Sequence, residues 1–408
     1  MLKGFLRGLL KLIVVLVVIA IIAVAGLWLY LKFSPQTGAT PSDDQLTTYE
    51  SLENHDGDHF INLVVADDPE IPSDSRRRDK WKRLWEVITR SAEQVKPPAP
   101  LGANSVDFEQ AIGANLSETS NQIRVTWLGH SAALASMDGV SILFDPMFGK
   151  YASPIPGVIE RFAGSLPDNI EQMPPVDVVM ISHDHYDHLD YGSIKRFDSR
   201  IAHYVVPLGV GDHLREWGVD PNKITELNWW DQVQLKGVDI VLTPSLHSSG
   251  RTIKNQKSTL WGGFAVLGQT QKLFFSGDTG YGGHFARIGE RLGPFDLALV
   301  EDGQYNELWL KHHMLPEQSY QAAVDLKAKQ MLPIHWGGFV LSTHPWNQPP
   351  ERLIAAREKV LLEQAASGDP LPEIITPEIG RTFKVPAEKP QNRWWLKLTV
   401  PDLIETES

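Results

Sequence analysis

The sequence contains no cysteine among its 408 residues. That excludes disulfides, thiolate nucleophiles and cysteine-ligated metals. The absence fits any redox compartment and suits an oxidising one, where no stray thiol can mispair. Positive charge is also scarce. The 38 Lys and Arg stand against 50 Asp and Glu, for a formal net charge of −12. This balance gives no basic footprint for nucleic acid, and no nucleic-acid partner is expected. Tandem repeats and low-complexity tracts are lacking too. The length permits one large or two ordinary domains with material for a buried core.

A long apolar run occurs at the N-terminus, after Lys3, Arg7 and Lys11: Leu12 to Leu31, "LIVVLVVIAIIAVAGLWLYL". At about 1.5 Å per residue it spans about 30 Å, the thickness of a bilayer core. Trp28 and Tyr30 stand near its far end, as interfacial aromatics do. A cleaved signal peptide is the alternative, with Ala23-Val24-Ala25 resembling a cleavage site, but the run is longer than a signal core and continues past it. Three basic residues precede the span and one, Lys32, follows it. The positive-inside rule then puts the N-terminus in the cytoplasm. In a bacterium this is a single-pass inner-membrane protein with its bulk in the periplasm.

The expected organisation is an anchor over 1–33, a linker over 34–58, an N-terminal extension packing on the domain over 59–120, the main domain over 121–385 and a tail over 386–408. The linker reading rests on Pro35, Gly38, Pro41 and several acids. Residues 76–90 read as a helix with Trp81, Leu84, Trp85 and Ile88 on one face, either packed on the domain or touching anionic headgroups. Residues 96–104 read as a second linker. Trp394 and Trp395 in the tail are expected to pack on the core.

From 121 the texture becomes strand-like. "IRVTWLGHSAALASMDGVSILFDP" reads as two short strands with a turn at Asp138-Gly139. "VDVVMIS", "IAHYVVP", "VDIVLTPS", "WGGFAVLG", "KLFFSGD", "FDLALVE" and "QMLPIHW" are further strands. Helical stretches lie between several of them, one over Pro316 to Lys329 with proline in its first turn. Strands followed by helices, twice over, predict an α/β layered domain.

The chemistry concentrates in "SHDHYDHLD", directly after the strand "VDVVMIS". Loops at strand ends are where α/β proteins place their sites. His183 and His185 can point the same way from an extended turn and bind one ion, while Asp187 and His188 reach a second. A solvated polar loop is the bland alternative. His247, Asp278 and His335 each stand at the end of another apolar strand. A lone histidine there is more often structural, but beside the His183–His188 loop the three become candidate ligands. An all-histidine-and-carboxylate set suits zinc, with manganese or iron as alternatives.

Asp145, the His183–His188 loop, His247, Asp278 and His335 occur in the order of the metallo-β-lactamase fold superfamily, which the chain resembles. The resemblance implies a four-layered αββα sandwich with two metal ions, expected to be zinc, at one edge. It implies that His183, His185 and His247 hold the first ion and Asp187, His188 and His335 the second. It makes Asp278 the bridge between them and Asp145 a group that orients the histidine loop. More closely, "WLGHSAALASMDGVSILFDPMF", "SHDHYDHLD", "FFSGDTGYGGHF", "HMLPEQSYQA" and "IHWGGFVLSTHPWNQPPERL" resemble the N-acylphosphatidylethanolamine-hydrolysing phospholipase D family and its bacterial relatives. The resemblance covers roughly 121 to 365. His130 with Ser131, His313 to Glu317 and Ile334 to Gly337 are its most specific parts. Upstream, Phe60 and Asn62 echo a family F-x-N-P stretch, with Leu63 in place of the proline.

The implied activity is a membrane-anchored phosphodiesterase that cleaves phospholipid-like substrates through a metal-bridging hydroxide. Asp187, Asp278 and His313 are the catalytic candidates, His313 matching the family's nonmetal active-site histidine. His312 is expected at the surface. Tyr281 and His284 either line the pocket or are turn residues held by packing. Two alternatives stand beside this reading: an ester or lactone hydrolase on the same fold, and a non-catalytic metal-binding envelope protein.

Overall fold

The computed structural model describes residues 2–63, 95–113, 122–306, 309–363, 370–387 and 392–398. The helix expected over 76–90 lies outside the described residues. The N-terminal helix, Leu2–Phe33, carries a stretch of mean hydropathy 3.2 with none of it buried against the rest of the chain. It is long and apolar enough to cross a bilayer.

The strands are β1 (Arg124–Trp127), β2 (Ala133–Met137), β3 (Val140–Phe144), β4 (Val176–Met180), β5 (Ile201–Pro207), β6 (Ile224–Leu227), β7 (Gln232–Leu235), β8 (Val238–Thr243), β9 (Gly263–Leu267), β10 (Lys272–Phe275), β11 (Leu297–Glu301), β12 (Gln330–Ile334), β13 (Glu373–Ile374) and β14 (Thr382–Lys384). They form two seven-stranded sheets, in the orders β14-β1-β2-β3-β4-β5-β6 and β13-β12-β11-β10-β9-β8-β7. The stretch "IRVTWLGHSAALASMDGVSILFDP" therefore holds three strands, not two. The turn between β2 and β3 falls at Asp138-Gly139, both with positive φ, the backbone that a tight hairpin turn demands.

The two sheets repeat one pattern. From β14 to β3 the pairs are antiparallel and from β3 to β6 parallel. From β7 to β10 they are antiparallel and from β10 to β13 parallel. Parallel pairs need crossovers; that from β3 to β4 is a loop with a 3-10 turn at Ile170–Gln172, and the others carry the helices Tyr191–Phe197, Val210–Glu216, His284–Arg291, Pro316–Asp325 and Gln348–Glu363. Side chains alternate across β3. Ile142 and Phe144 face the core between the sheets, where Phe144 stacks on Phe275 at 4.6 Å. Leu143 faces outward, into a second core with Phe197, Leu214 and Trp217 under the helices. Burial on both faces explains the near-continuous apolar runs. Two mixed sheets flanked by helices are the metallo-β-lactamase architecture expected from the sequence.

Residues 34–58 differ from the expected linker. Asp43–Tyr49 is a helix closed by a Ser42–Gln45 capping box, and Tyr49 and Phe60 are buried in the core between the sheets. Trp217 donates its indole N–H to the carbonyl of Pro35 at 2.7 Å, and Ala39 N–H donates to His213 Nδ1 at 2.9 Å. Gly38 permits this approach, because a Cβ there would lie 2.1 Å from His213 Nδ1. Residues 96–104 are also pinned: Leu101 is buried, and its N–H and that of Ala103 donate to the carbonyls of Ala163 and Gly164. In both cases proline, glycine and polar side chains mark a strap held by backbone hydrogen bonds. At the other end, Trp394 and Trp395 pack with Trp127 and Trp336.

Candidate metal centre

Seven ligand-type side chains converge where the two sheets meet. His183, His185, Asp187 and His188 follow β4, His247 follows β8, Asp278 follows β10 and His335 follows β12. All but His185 are buried. Gly277 makes the close approach of these segments feasible. Its φ is +57°, and a Cβ there would lie 2.6 Å from the Ser182 Cβ.

The side chains fall into two adjoining sets. His183 Nε2 lies 2.9 Å from His185 Nδ1, and His247 Nε2 lies 3.3 Å from the same atom. In the other set, Asp187 Oδ2 lies 3.3 Å from His188 Nε2 and 4.0 Å from His335 Nε2. Asp278 stands between them. Its Oδ2 is 3.8 Å from His183 Nε2, 3.8 Å from His247 Nε2 and 3.1 Å from His188 Nε2. Its Oδ1 is 3.2 Å from His335 Nδ1. Both sets could hold metal ions.

The surrounding hydrogen bonds free the inward-facing nitrogens. Asp145 Oδ2 accepts from Ser182 Oγ at 2.7 Å and from His188 Nδ1 at 2.6 Å. With its proton given to Asp145, Ser182 Oγ accepts from His183 Nδ1 at 3.0 Å. His247 Nδ1 donates to the carbonyl of His312 at 3.0 Å. His183 and His247 therefore each keep a lone pair on Nε2, the tautomer that ligation requires, and the Nδ1 bond to Asp145 leaves Nε2 as the ligating nitrogen of His188 once its second proton has gone. Asp145 thus bonds the histidine loop at Ser182 and His188. His312 is half-buried rather than a surface residue, and it acts through its backbone.

Electrostatics ask for a cation. Burial pushes the Asp187 and Asp278 carboxyls up, but the neighbouring histidines, His188 foremost, outweigh it and hold both well below the usual range. Burial holds His183, His247 and His335 well below the ordinary imidazole value. Burial lowers His188 too, yet Asp278, Asp187 and Asp145 around it raise it well above. His335 Nε2 and Asp278 Oδ1 are buried with no hydrogen-bond partner among the described residues. Buried carboxylates, neutral imidazoles and orphaned lone pairs fit a bound divalent cation.

His313 reaches the same site. Its Nδ1 is 3.3 Å from Glu301 Oε2 and 4.0 Å from Asp278 Oδ2, and its ring stacks on His335 at 5.1 Å. Glu301 is fully buried, and its Oε1 accepts the Met314 N–H at 2.7 Å. Burial pushes Glu301 up to about 7, against the pull of His313. Burial lowers His313, but Glu301 more than restores it, and the net shift is upward. Tyr281 donates its hydroxyl to Asp325 at 2.7 Å, and His284 bonds Thr279 at 3.1 Å. Tyr281 is thus held away by Asp325, and His284 is the buried first residue of its helix.

Sequence reasoning gave no role to several residues that the structure brings here. His130 Nε2 lies 3.0 Å from Asp187 Oδ2. Asn62 bonds both the N–H and the carbonyl of His247. Asp184 accepts from Gly250 N–H at 2.6 Å and faces His213 Nε2 at 3.1 Å. Arg251, buried, donates to the carbonyls of Asp184 and Leu189 in the histidine loop and to that of Gln36. Glu301 carried a readable signal, since it ends an apolar strand just as Asp278 and His335 follow theirs.

A family profile described as "Beta-lactamase superfamily domain" matches residues 141–336. An uncharacterised protein of Mycobacterium tuberculosis is 36% identical over 356 residues, covering 85% of this chain and 91% of that one. An N-acyl-phosphatidylethanolamine-hydrolysing phospholipase D of Caenorhabditis elegans is 34% identical over 254 residues, covering 57% of this chain and 70% of that one. A mitochondrial protein of the same description from Saccharomyces cerevisiae is 33% identical over 272 residues, covering 63% of this chain and 55% of that one.

Proposed function

We propose that this chain, which belongs to the β-lactamase superfamily and to the family of N-acyl-phosphatidylethanolamine-hydrolysing phospholipases D, is a membrane-anchored phosphodiesterase acting on phospholipid-like substrates with two zinc ions. The observation that carries the reading is the position of Asp278, whose carboxylate faces both histidine sets from one buried point.

In this reading His183, His185 and His247 would hold one ion and Asp187, His188 and His335 the other, with Asp278 facing both sets. Such ions supply Lewis acidity toward a phosphoryl oxygen and make water acidic enough to ionise near neutral pH. The chain's own groups do the rest. Asp145 and Ser182 keep the imidazole lone pairs aimed inward. His130, on Asp187 Oδ2, fixes that carboxylate. Glu301 Oε2 accepts a hydrogen bond from His313 Nδ1–H and favours the charged imidazolium, whose second proton sits on Nε2. As water, one proton lost to solvent, forms its bond to phosphorus and the phosphodiester P–O bond breaks, the Nε2 proton passes to the departing alkoxide, and solvent returns a proton to His313. The N-terminal helix holds the domain beside its lipid substrate, with the N-terminus on the cytoplasmic side and the domain outside.

The test is to incubate the zinc-loaded full chain in vesicles with N-acyl-phosphatidylethanolamine, a diacyl glycerophospholipid and an N-acyl-homoserine lactone. Release of a phosphatidic acid from either lipid is the expected result. Hydrolysis of the lactone alone would replace the phosphodiesterase reading with the lactonase one.

A further inference from the structure

Two loops collar the point where the N-terminal helix meets the domain. The hydroxyl of Tyr30 donates to the carbonyl of Pro154 at 2.9 Å. Tyr30 stands three residues before the helix ends at Phe33, about 4.5 Å along the axis. Pro154 belongs to a loop closed by a bridge between Tyr151 and Glu160, and at its tip Val158 is 43% exposed. On the second loop, Arg251 Nε donates to the carbonyl of Gln36 at 2.8 Å. Gln36 lies three residues past the helix, which is at most about 10 Å of chain.

The second loop is stiff. Asn255 Oδ1 accepts from the N–H groups of Arg251 and Thr252 and from the Thr252 hydroxyl, at 3.0, 2.6 and 2.9 Å. The Gln256 amide closes the turn on the Thr252 carbonyl at 2.8 Å. This frame presents Ile253 with 97% of its surface exposed, flanked by the exposed Lys254 and Lys257. A disordered loop could fold an isoleucine away from water. This one holds it out.

We infer that the tips of these two loops, Val158 and Ile253, insert into the headgroup layer of an anionic bilayer; the inference rests on the reading of Leu2–Phe33 as a membrane anchor. If the helix spans, Trp28 and Tyr30 lie at headgroup level. Pro154 touches Tyr30 and so lies at the same depth. Gln36 keeps the Arg251 loop within one headgroup thickness of it. Apolar tips gain by burial there, and Lys254 and Lys257 meet anionic lipid. The arrangement also fixes the reaction site. Tyr186, within the histidine loop, donates its hydroxyl to the Arg251 carbonyl at 2.8 Å. The Arg251 guanidinium lies 4.0 Å from the Tyr186 ring centre. One residue thus ties the bilayer-facing loop, the end of the anchor and the metal-binding loop together.

The absence of cysteine makes the test direct. Single variants Val158→Cys, Ile253→Cys, Val18→Cys and Lys359→Cys carry an environment-sensitive fluorophore in the full chain, reconstituted in phosphatidylethanolamine–phosphatidylglycerol vesicles. Val18 reports on the anchor, and Lys359 is an exposed control on the helix Gln348–Glu363. Blue-shifted emission quenched by nitroxide lipids at 158 and 253, with water-like emission at 359, is the expected result. Water-like emission at 158 and 253 while position 18 is quenched overturns the inference and leaves the anchor standing. Water-like emission at 18 overturns the anchor reading itself.

Discussion

Asn62 brackets the peptide of His247: its amide N–H donates to the His247 carbonyl at 2.9 Å, and its amide oxygen accepts the His247 N–H at 3.2 Å. The indole of Trp261 donates to that same oxygen at 3.1 Å. A residue 185 positions upstream therefore sets the backbone of a candidate ligand.

Replacing Asn62 with Leu removes both bonds and leaves two backbone groups unpaired. Loss of an outer partner of a metal ligand costs about 10–100-fold in metal affinity. Competition against a chelator of known affinity measures it. Affinity equal to that of the parent chain would show that His247 is positioned without Asn62.

Asp278→Asn keeps the shape and removes the charge between the two sets. Metal content per chain, measured by elemental analysis, is expected to fall with activity. Unchanged content would mean that Asp278 contacts neither ion.

His313→Ala is expected to leave metal content intact and to lower turnover by about 10²–10⁴-fold, the usual contribution of a general acid. Glu301→Gln acts through His313 and moves turnover the same way, by less. Full turnover in His313→Ala would return the proton transfer to solvent.

Gly38→Val places a side chain 2.1 Å from His213 Nδ1 at a φ of +67°. It should push the anchor segment off the domain and, through His213 and Asp184, loosen the histidine loop. Lower metal affinity with the protein still folded is the expected result. Arg251→Met cuts the same tie from the other side. If both variants bind metal as the parent does, the strap bears no load on the site.

Asp302 is fully buried, and neither carboxylate oxygen has a hydrogen-bond partner among the described residues. Burial, with Glu301 beside it, raises its carboxyl well above the ordinary value of 3.8. Above that value the unfolded chain loses the proton while the folded chain keeps it. Stability contributed by this group therefore falls as pH rises toward the folded pKa, by about 1.4 kcal/mol per pH unit. Asp302→Asn abolishes the slope. Its melting temperature should exceed the parent's by a margin that widens from pH 5 to pH 7. A margin independent of pH would show that Asp302 is ionised in the fold.

Some of this could be read along the chain because its cause is local. His183, His185, Asp187 and His188 lie within one loop, where spacing alone limits which side chains share a point. His247, Asp278 and His335 follow apolar runs, and the carboxyl end of a buried strand is a place that the run itself marks. The N-terminal helix needs only its length and hydropathy. Asn62, Asp184 and Arg251 were different. Each acts on a partner through one or two hydrogen bonds across the fold, and no periodicity records such a bond. The strap over 34–58 reads as a linker for the same reason, since its proline, glycine and polar residues look alike whether water or the domain satisfies its backbone.

By itself, then, the sequence determined the apolar helix, the two strand-rich halves and the candidate ligands, because hydrophobic periodicity and short-range spacing are properties of neighbouring residues. Only the tertiary structure decided which carboxylate stands between the histidine sets, which proton each imidazole gives away and which loops meet the anchor. Those depend on ångström-scale distances between segments up to about two hundred residues apart, and such distances exist only once the two sheets have packed.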